Sequence, residues 1–411
     1  MSPSSSDARI GSREAGALLT QALDEGRLAR APAERLGANL RDPVVLEPLL
    51  EAARSSKRAG KGARVTVSRN VFIPLTNLCR DRCSYCTFAN PPESPEARTY
   101  TLEDVAEVVR GGVFAGCTEA LLCLGDKPEL AHRAHRDWLA SRGYRSTVDH
   151  LVEACRVAFE GGLLPHTNAG ILSSEQLEAL RPWNASMGLM LESTSRRLRG
   201  EGMAHRYSPD KDPAVRLRMH EHAGELKIPF TTGILLGIGE NVEERVDTLL
   251  AIRDLDDRHG HIQETIVQPF HPKSDTRMRS TSSLPEEQLV GWVAIARLIL
   301  GPEANVQAPP NLAPGLLERL LHSGLNDWGG ISPVTLDFIN PEASWPTLRE
   351  LRRRTEAAGQ LLLERLPVYP EWVSRDDFFD PQVRVALSRF ANDAGFARLH
   401  VPQSGEEAAC A

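Results

Sequence analysis

The chain has 411 residues, a formal net charge of −7 and an ordinary globular composition, with 41% hydrophobic and 25% charged residues. The negative net charge argues against the large basic surface that nucleic-acid binding needs. No apolar run approaches the ~20 residues of a membrane span. Because the N-terminal sequence lacks the apolar core of a secretion signal, a cytoplasmic protein is expected.

The first 62 residues predict a helical N-terminal extension. Residues 1–10 are rich in serine and are expected to be disordered. Residues 15–30 and 43–58 carry apolar side chains at helical spacing, with proline and glycine between the two segments. This extension precedes the part of the chain that carries the candidate chemistry.

From residue 63 the chain alternates short apolar runs with longer helical patterns, which is typical of βα units and a parallel sheet. Eight candidate strands lie at residues 71–75, 120–124, 164–168, 186–191, 230–236, 264–268, 304–307 and 324–328. Eight such units predict an α/β fold, a (β/α)8 TIM-type barrel or a partial version of it, over residues 63–340. Residues 341–411 predict a C-terminal helical extension and tail.

Three cysteines, Cys79, Cys83 and Cys86, follow the first candidate strand in a C-x3-C-x2-C pattern. Thiolates at this density suit an iron–sulfur cluster, zinc or copper, and a four-iron cluster held by protein alone needs four cysteines. Three cysteines leave one iron open to a substrate or cofactor, which favours catalysis. Zinc stays an alternative, although the chain has no second C-x2-C pair or H-x3-5-H pair to complete a tetrahedral site.

This triplet, with an aromatic residue before its third cysteine, resembles the signature of the radical S-adenosylmethionine enzymes. The resemblance implies a [4Fe-4S] cluster whose open iron holds the amino and carboxylate groups of S-adenosylmethionine. It also implies further cofactor contacts at strand ends, from Tyr85, Gly125, Asp126, Glu192, Gly237 and Gly239. The glycines, Asp126 and Glu192 have an alternative role in an ordinary turn or helix cap.

Four segments narrow the resemblance: FIPLTNLCRDRCSYCTF, LGDKPE, TTGILLGIGE and NDWGGISPVTLDFINPEASWP. Together they are similar to the CofG subunit family of 7,8-didemethyl-8-hydroxy-5-deazariboflavin (FO) synthase. The resemblance implies formation of this coenzyme F420 precursor from the hydroxybenzyl adduct of a ribityl-aminouracil, with 5′-deoxyadenosine, methionine and ammonia released. It also implies a CofH-like partner subunit and a flavodoxin or ferredoxin as electron donor.

A substrate with uracil, ribityl and phenol groups needs hydrogen-bond donors and acceptors at the barrel mouth. Candidates at the strand ends are His166, Asn168, Gln268, Asn311, Asn326 and Asp327, with Trp328 as a stacking surface. Residues 326–333 are expected to contact substrate rather than cofactor. No residue is singled out for proton transfer.

Two other functions stay open. A related radical enzyme, of the partner-subunit or biotin synthase-like type, shares the triplet but acts on another substrate, and LGDKPE and NDWGGISP weigh against it. A non-catalytic iron–sulfur electron carrier belongs to another class, but such carriers hold their clusters with four protein ligands.

Overall fold

The computed structural model describes residues 9–398 and shows a closed barrel of parallel strands surrounded by helices. The strands are β1 (Arg64–Thr76), β2 (Glu119–Leu124), β3 (Leu164–Asn168), β4 (Ser186–Gly188), β5 (Phe230–Leu236), β6 (Ile262–Pro269), β7 (Val306–Gln307), β8 (Asp327–Ile331) and β9 (Leu361–Arg365). β1 pairs with both β2 and β8, which closes the ring of the first eight strands. The predicted TIM-type fold is therefore confirmed.

The helices largely follow the strands, as a (β/α)8 fold requires. They are α1 (Ser12–Asp24), α2 (Arg30–Ala38), α3 (Pro43–Lys61), α4 (Leu102–Phe114), α5 (Pro128–Ala131), α6 (Arg133–Ala140), α7 (Thr147–Glu160), α8 (Ser174–Leu180), α9 (Pro213–Glu225), α10 (Val242–His259), α11 (Glu286–Leu300), α12 (Leu317–His322), α13 (Leu348–Ala357), α14 (Pro370–Val373) and α15 (Pro381–Phe390). Helices α4, α8 and α10 each begin at a capping box, in which two side chains satisfy backbone N–H groups of the first turn. These local signals set where the helices start.

The N-terminal helices cover one side of the barrel. Helix α3 packs on α11, and α2 packs on α10 and α11, so the extension shares the main hydrophobic core. Residues 1–8 of the segment expected to be disordered lie outside the described residues, and Ile10 is buried. No helix among residues 9–398 combines the length and apolar character needed to cross a bilayer.

Two features differ from the sequence expectation. β8 begins at Asp327, so the segment 326–328 opens the strand instead of ending it. The C-terminal extension contributes a strand, β9, which pairs with the first half of β1 while the second half of β1 pairs with β2. β9 therefore lies at the end of the barrel where the strands begin.

The last residue of β9, Arg365, places a buried charge at this N-terminal end of the barrel. Arg365 reaches Asp327 of β8 with 2.8 Å between Nε and Oδ2, and Glu264 of β6 with 3.4 Å between Nη2 and Oε1. Thr231 of β5 donates to Glu264 at 3.0 Å. Only the interior of the barrel brings side chains from these strands together, so this network forms its floor.

Candidate active site

A cavity of about 230 Å³ opens at the opposite end of the barrel, where the strands end. Nine of the residues predicted from the sequence line it: Cys79, Cys83, Cys86, Tyr85, Gly125, Asp126, Glu192, Asn168 and Gln268. The cavity is also lined by residues that the sequence analysis did not single out as site residues: Asp81, Met190, Lys211, Arg216, Phe270, His271, Lys273 and Asn340. The cysteine triplet and the polar strand ends therefore share one site.

Hydrogen bonds orient the sulfur atoms of the triplet. The backbone N–H groups of Asp81 and Asp126 donate to the Cys79 sulfur at 3.3 and 3.1 Å, and Ser208 Oγ lies 3.2 Å from the Cys83 sulfur. Burial raises the pKa of the Cys83 thiol to about 12, because the thiolate loses its hydration. A bound metal supplies the positive charge that makes a buried thiolate favourable.

The spacing of the sulfurs bears on which metal group the triplet fits. Among residues 9–398, no three potential ligand atoms that include a cysteine sulfur lie within 4.8 Å of one another. A tetrahedral zinc with Zn–S bonds of ~2.3 Å needs its sulfurs about 3.8 Å apart. The sulfurs of the described residues therefore do not form a compact zinc site, and three cysteines lining one cavity suit a four-iron cluster with one open iron.

Gly125 lets the strand end approach the cysteine loop. A Cβ atom built on Gly125 would lie 2.0 Å from the Leu78 carbonyl oxygen and 2.7 Å from the Cys79 Cβ. The next residue, Asp126, accepts a hydrogen bond from Arg80 N at 2.9 Å with its carbonyl group. The LGD segment thus holds the cysteine loop through its backbone, which only glycine permits at this position.

Glu192 is the centre of a largely buried polar group beside the triplet. Tyr85 Oη donates to Glu192 Oε2 at 2.6 Å, His205 Nε2 lies 3.2 Å from the same oxygen, and Lys211 pairs with Oε1. Burial opposes the charge of Glu192, but Lys211 and His205 outweigh it and hold the pKa of Glu192 well below its usual range. Glu192 therefore stays a carboxylate, and its φ of 63° shows that the surrounding contacts impose an unusual backbone conformation.

A second polar group lies behind Cys79. Carboxylate oxygens of Asp81, Asp126 and Asp210 lie within 4.8 Å of one another, and Arg80 and Lys127 pair with Asp210. Burial, followed by the charge of Asp210, raises the pKa of Asp126 to about 6. The sequence analysis singled out only Asp126 of this group, because the cysteine spacing and the LGDKPE segment do not show which neighbouring side chains meet behind Cys79.

The far wall of the cavity carries the polar groups suited to a second ligand. Asn168 and Gln268 lie at the ends of β3 and β6, as predicted. Lys273 binds the segment that crosses this wall: its Nζ donates to Thr87 Oγ1 at 3.1 Å and to Asn340 Oδ1 at 3.0 Å. Lys273 thereby joins the residue after Cys86 to a segment more than 250 residues later.

Three of the predicted site residues at strand ends, Gly237, Gly239 and Asn311, do not line the cavity. Gly237 donates its N–H to Glu240 Oε1 at 2.6 Å, and both Gly237 and Gly239 have positive φ, which fits a tight turn after β5. Asn311 is buried and donates to Asp337 Oδ2 at 3.0 Å. Asn311 therefore supports the wall from behind.

His166 occupies the barrel interior below the cavity. Its Nδ1 lies 2.6 Å from Ser186 Oγ, and burial with the nearby Arg365 charge lowers the pKa of His166 to about 3. It is thus a neutral, buried histidine. The substrate contact predicted for it is not what the structure shows.

The segment 326–328, predicted to bind substrate, lies at the floor of the barrel. Asn326 Oδ1 accepts from Arg297 Nη2 at 2.6 Å, and Trp328 Nε1 donates to Thr355 Oγ1 at 3.1 Å. Asp327 is fully buried and paired with Arg365. The prediction failed because the segment starts β8, which puts its side chains at the end of the strand away from the mouth.

Comparison with known proteins agrees with this geometry. Residues 73–252 match the model of the radical SAM superfamily. The chain is 48% identical over 335 residues to 7,8-didemethyl-8-hydroxy-5-deazariboflavin synthase of Methanopyrus kandleri, covering 81% of this chain and 100% of that protein. It is 45% identical over 348 residues to FO synthase of Streptomyces coelicolor, but spans only 40% of that longer protein.

Solved structures show the same fold at low identity. The [FeFe]-hydrogenase maturase HydG superposes with a TM-score of 0.72 at 18% identity, covering 93% of this chain and 81% of that one. Methylornithine synthase superposes with a TM-score of 0.65 at 20% identity, covering 84% and 97%.

The radical SAM superfamily uses a [4Fe-4S] cluster and S-adenosylmethionine. The cysteine triplet of the cavity suits the cluster, and the polar groups around Glu192 suit S-adenosylmethionine. The close relationship extends across the full length of the archaeal synthase. The chain is a radical SAM enzyme and belongs to the 7,8-didemethyl-8-hydroxy-5-deazariboflavin synthase family.

Proposed function

We propose that the enzyme forms 7,8-didemethyl-8-hydroxy-5-deazariboflavin from the hydroxybenzyl adduct of a ribityl-aminouracil. The co-products are 5′-deoxyadenosine, methionine and ammonia, which makes the enzyme an ammonia-releasing lyase. The observation that carries the proposal is the single cavity that joins the cysteine triplet to a polar far wall, in a chain 48% identical to a synthase of that name. One cavity with two chemically distinct walls suits one cofactor and one substrate.

We assign the near wall to the cofactors. Cys79, Cys83 and Cys86 would hold the cluster, and Gly125 and Glu192 would meet S-adenosylmethionine. When bound, these cofactors supply a radical that abstracts a hydrogen atom from the substrate. The Glu192 carboxylate, held by Tyr85, would accept hydrogen bonds from N–H or O–H groups of S-adenosylmethionine.

We assign the far wall to the substrate. Asn168 and Gln268 offer amide donors and acceptors for a uracil ring, and Asn340 offers the same from the crossing segment. Lys273 holds that segment in place through Asn340 and also pairs with Glu342 at 3.5 Å. Phe270 adds an apolar surface for the aromatic part of the substrate.

Two proteins are proposed to act with this enzyme. The actinobacterial FO synthases extend well beyond the matched region, which covers 40% of the Streptomyces coelicolor chain. That length supports a second, CofH-like subunit that makes the adduct. A flavodoxin or ferredoxin would supply the electron, and the reducing conditions that free thiolates need support a cytoplasmic location.

The test uses anaerobically prepared enzyme with its cluster, S-adenosylmethionine, dithionite and the hydroxybenzyl adduct. We expect a fluorescent deazaflavin together with 5′-deoxyadenosine and methionine. Lys273→Met should reduce deazaflavin formation while iron content and cofactor binding persist, and the exposed Lys227→Met serves as the control. Formation of 5′-deoxyadenosine only with an unrelated substrate would overturn the proposal.

A further inference from the structure

Two exposed arginines flank one exposed tyrosine on the outer surface of the barrel mouth. Tyr207 is 56% exposed. The guanidinium carbons of Arg277 and Arg206 lie 4.4 and 5.9 Å from the centre of its ring. Arg82 and Arg279 are also exposed in the neighbouring segments. We call these five residues the Tyr207 patch.

The positive charge of the Tyr207 patch is not neutralised by ion pairs. Within residues 9–398, none of its four arginines has a carboxylate oxygen within 4.0 Å, and this includes the nearby exposed Glu201 and Asp275. The whole chain carries a net charge of −7. An uncompensated basic patch on an acidic protein produces a local positive potential that attracts an acidic partner.

The Tyr207 patch is built on the cysteine loop itself. Arg82 N donates to the Tyr207 carbonyl oxygen at 3.0 Å, and Arg82 lies between the first two cysteines of the triplet. Ser208, the residue after Tyr207, approaches the Cys83 sulfur at 3.2 Å. On the other side, Met278 N donates to the Ser84 carbonyl oxygen at 3.1 Å. The Tyr207 patch is thus connected to Cys83, a proposed cluster ligand, through the side chain of Ser208.

We propose that the Tyr207 patch is the docking surface for a small acidic protein that donates one electron to the cluster. The inference rests on the proposed function, because cofactor cleavage consumes one electron. In the transfer the reduced flavin or iron–sulfur group of the donor loses one electron and the cluster gains it. The arginines orient the acidic face of the donor, and Tyr207 supplies a flat contact surface at its centre.

A second basic region near the triplet is less suitable. His132 Nε2 lies 3.0 Å from the Cys79 carbonyl oxygen, and helix α6 follows it with two arginines, Arg133 and Arg136. However, Arg133 pairs with Asp137, and Arg145 of the next segment pairs with Asp149. Two of the four exposed arginines in this region, Arg133 and Arg145, are therefore paired, whereas among the described residues no arginine of the Tyr207 patch is.

The test compares two double variants of the cluster-loaded enzyme. The patch variant is Arg206→Glu/Arg277→Glu, and the control variant is Arg13→Glu/Arg110→Glu. All four side chains are exposed, and the control pair lies on α1 and α4, so both variants change the net charge equally. Three measurements are made: the dissociation constant for oxidised flavodoxin, the rate of cluster reduction by reduced flavodoxin, and the rate of cluster reduction by saturating dithionite. Reduction by dithionite reports on the cluster without any docking step.

We expect the patch variant to lose about 10-fold or more in flavodoxin affinity and reduction rate, with less salt dependence than the parent enzyme. Reduction by dithionite should stay unchanged, and the control variant should behave like the parent. Arg206→Gln/Arg277→Gln should show a smaller loss, because it removes positive charge without adding negative charge.

Two results would contradict the assignment of the Tyr207 patch as a docking surface. One is unchanged flavodoxin binding and reduction in the patch variant. The other is an equal loss with flavodoxin and dithionite, which would mean that the arginines support the cluster loop and not a partner. Failure of the proposed function looks different, because the parent enzyme would then be reduced normally yet form no deazaflavin from the adduct.

Discussion

Arg365 and Asp327 form a buried ion pair at the floor of the barrel, with 2.8 Å between Nε and Oδ2. The pair joins β8 to the residue that ends β9, so it ties the C-terminal segment to the barrel. Thr66 of β1 also donates to Asp327, which brings a third strand into the contact. Asp327 therefore has a structural task that its sequence motif did not indicate.

Asp327→Ala should destabilise the protein rather than weaken substrate binding selectively. Loss of the carboxylate leaves the Arg365 charge buried without its main partner, which costs about 3–5 kcal/mol. Urea unfolding of the cluster-free protein measures the change. Asp257→Asn is the matched control, because its pair with Arg27 is about half exposed and contributes about 1 kcal/mol or less. Equal stabilities of the two variants would contradict the structural role.

Cys79→Ala, Cys83→Ala and Cys86→Ala should each lose the cluster and with it cofactor cleavage. Each removes one cysteine of the triplet, all three of which line the cavity, and three is the minimum for a four-iron cluster with one open iron. Cys117→Ala and Cys155→Ala should keep normal iron and sulfide content, since both thiols are buried outside the cavity. Full cluster loading of Cys83→Ala would disprove the ligand assignment.

Gly125→Ala should displace the cysteine loop. The added methyl group would meet the Leu78 carbonyl oxygen at 2.0 Å, and relief of such overlap costs about 1–3 kcal/mol. Because the moving segment carries Cys79, iron content should fall along with stability. Gly315→Ala is the control, since a Cβ there has no neighbour within 4 Å. Normal iron content in Gly125→Ala would show that the loop adapts to the methyl group.

Glu192→Gln should weaken binding of S-adenosylmethionine and leave iron content unchanged. A charged acceptor contributes about 1.5–3 kcal/mol to a hydrogen bond, so affinity should fall about 10- to 100-fold. Equilibrium binding to the reconstituted enzyme measures this. Glu153→Gln on α7 is the control, with a side chain 39% exposed. Unchanged affinity would assign Glu192 to internal support of Tyr85 and Lys211.

The free energy of unfolding should fall at acidic pH because His166 is buried in its neutral form. Its pKa is lowered to about 3 in the folded protein, so the unfolded chain binds the proton first as the pH falls below ~6.5. The free energy of unfolding should therefore drop by about 2 kcal/mol from this residue between pH 8 and pH 5. His166→Asn should reduce the pH dependence of the parent protein by that amount. An identical pH profile for His166→Asn and the parent would contradict a buried neutral histidine.

The sequence by itself determined the fold class, the position of the triplet and most of the near wall. These features depend on local signals: the cysteine spacing, a glycine directly after a strand, and capping boxes that start helices. Asn168 and Gln268 were also found, because β3 and β6 end close to where their apolar runs end. In a parallel barrel the ends of such strands meet at one face.

Only the tertiary structure decided the rest. Lys211 and Lys273 are single residues in ordinary segments, and the distant chain that they meet gives them their roles. β9 and the Arg365 floor likewise depend on contacts across the barrel. The sequence predicts that the candidate strand begins at residue 324, whereas β8 begins at Asp327. This three-residue difference moves the segment 326–328 from the mouth of the barrel to its floor. At ~3.3 Å per residue, a strand of this length carries its first side chain about 13 Å from its last, and sequence periodicity does not locate strand ends that closely.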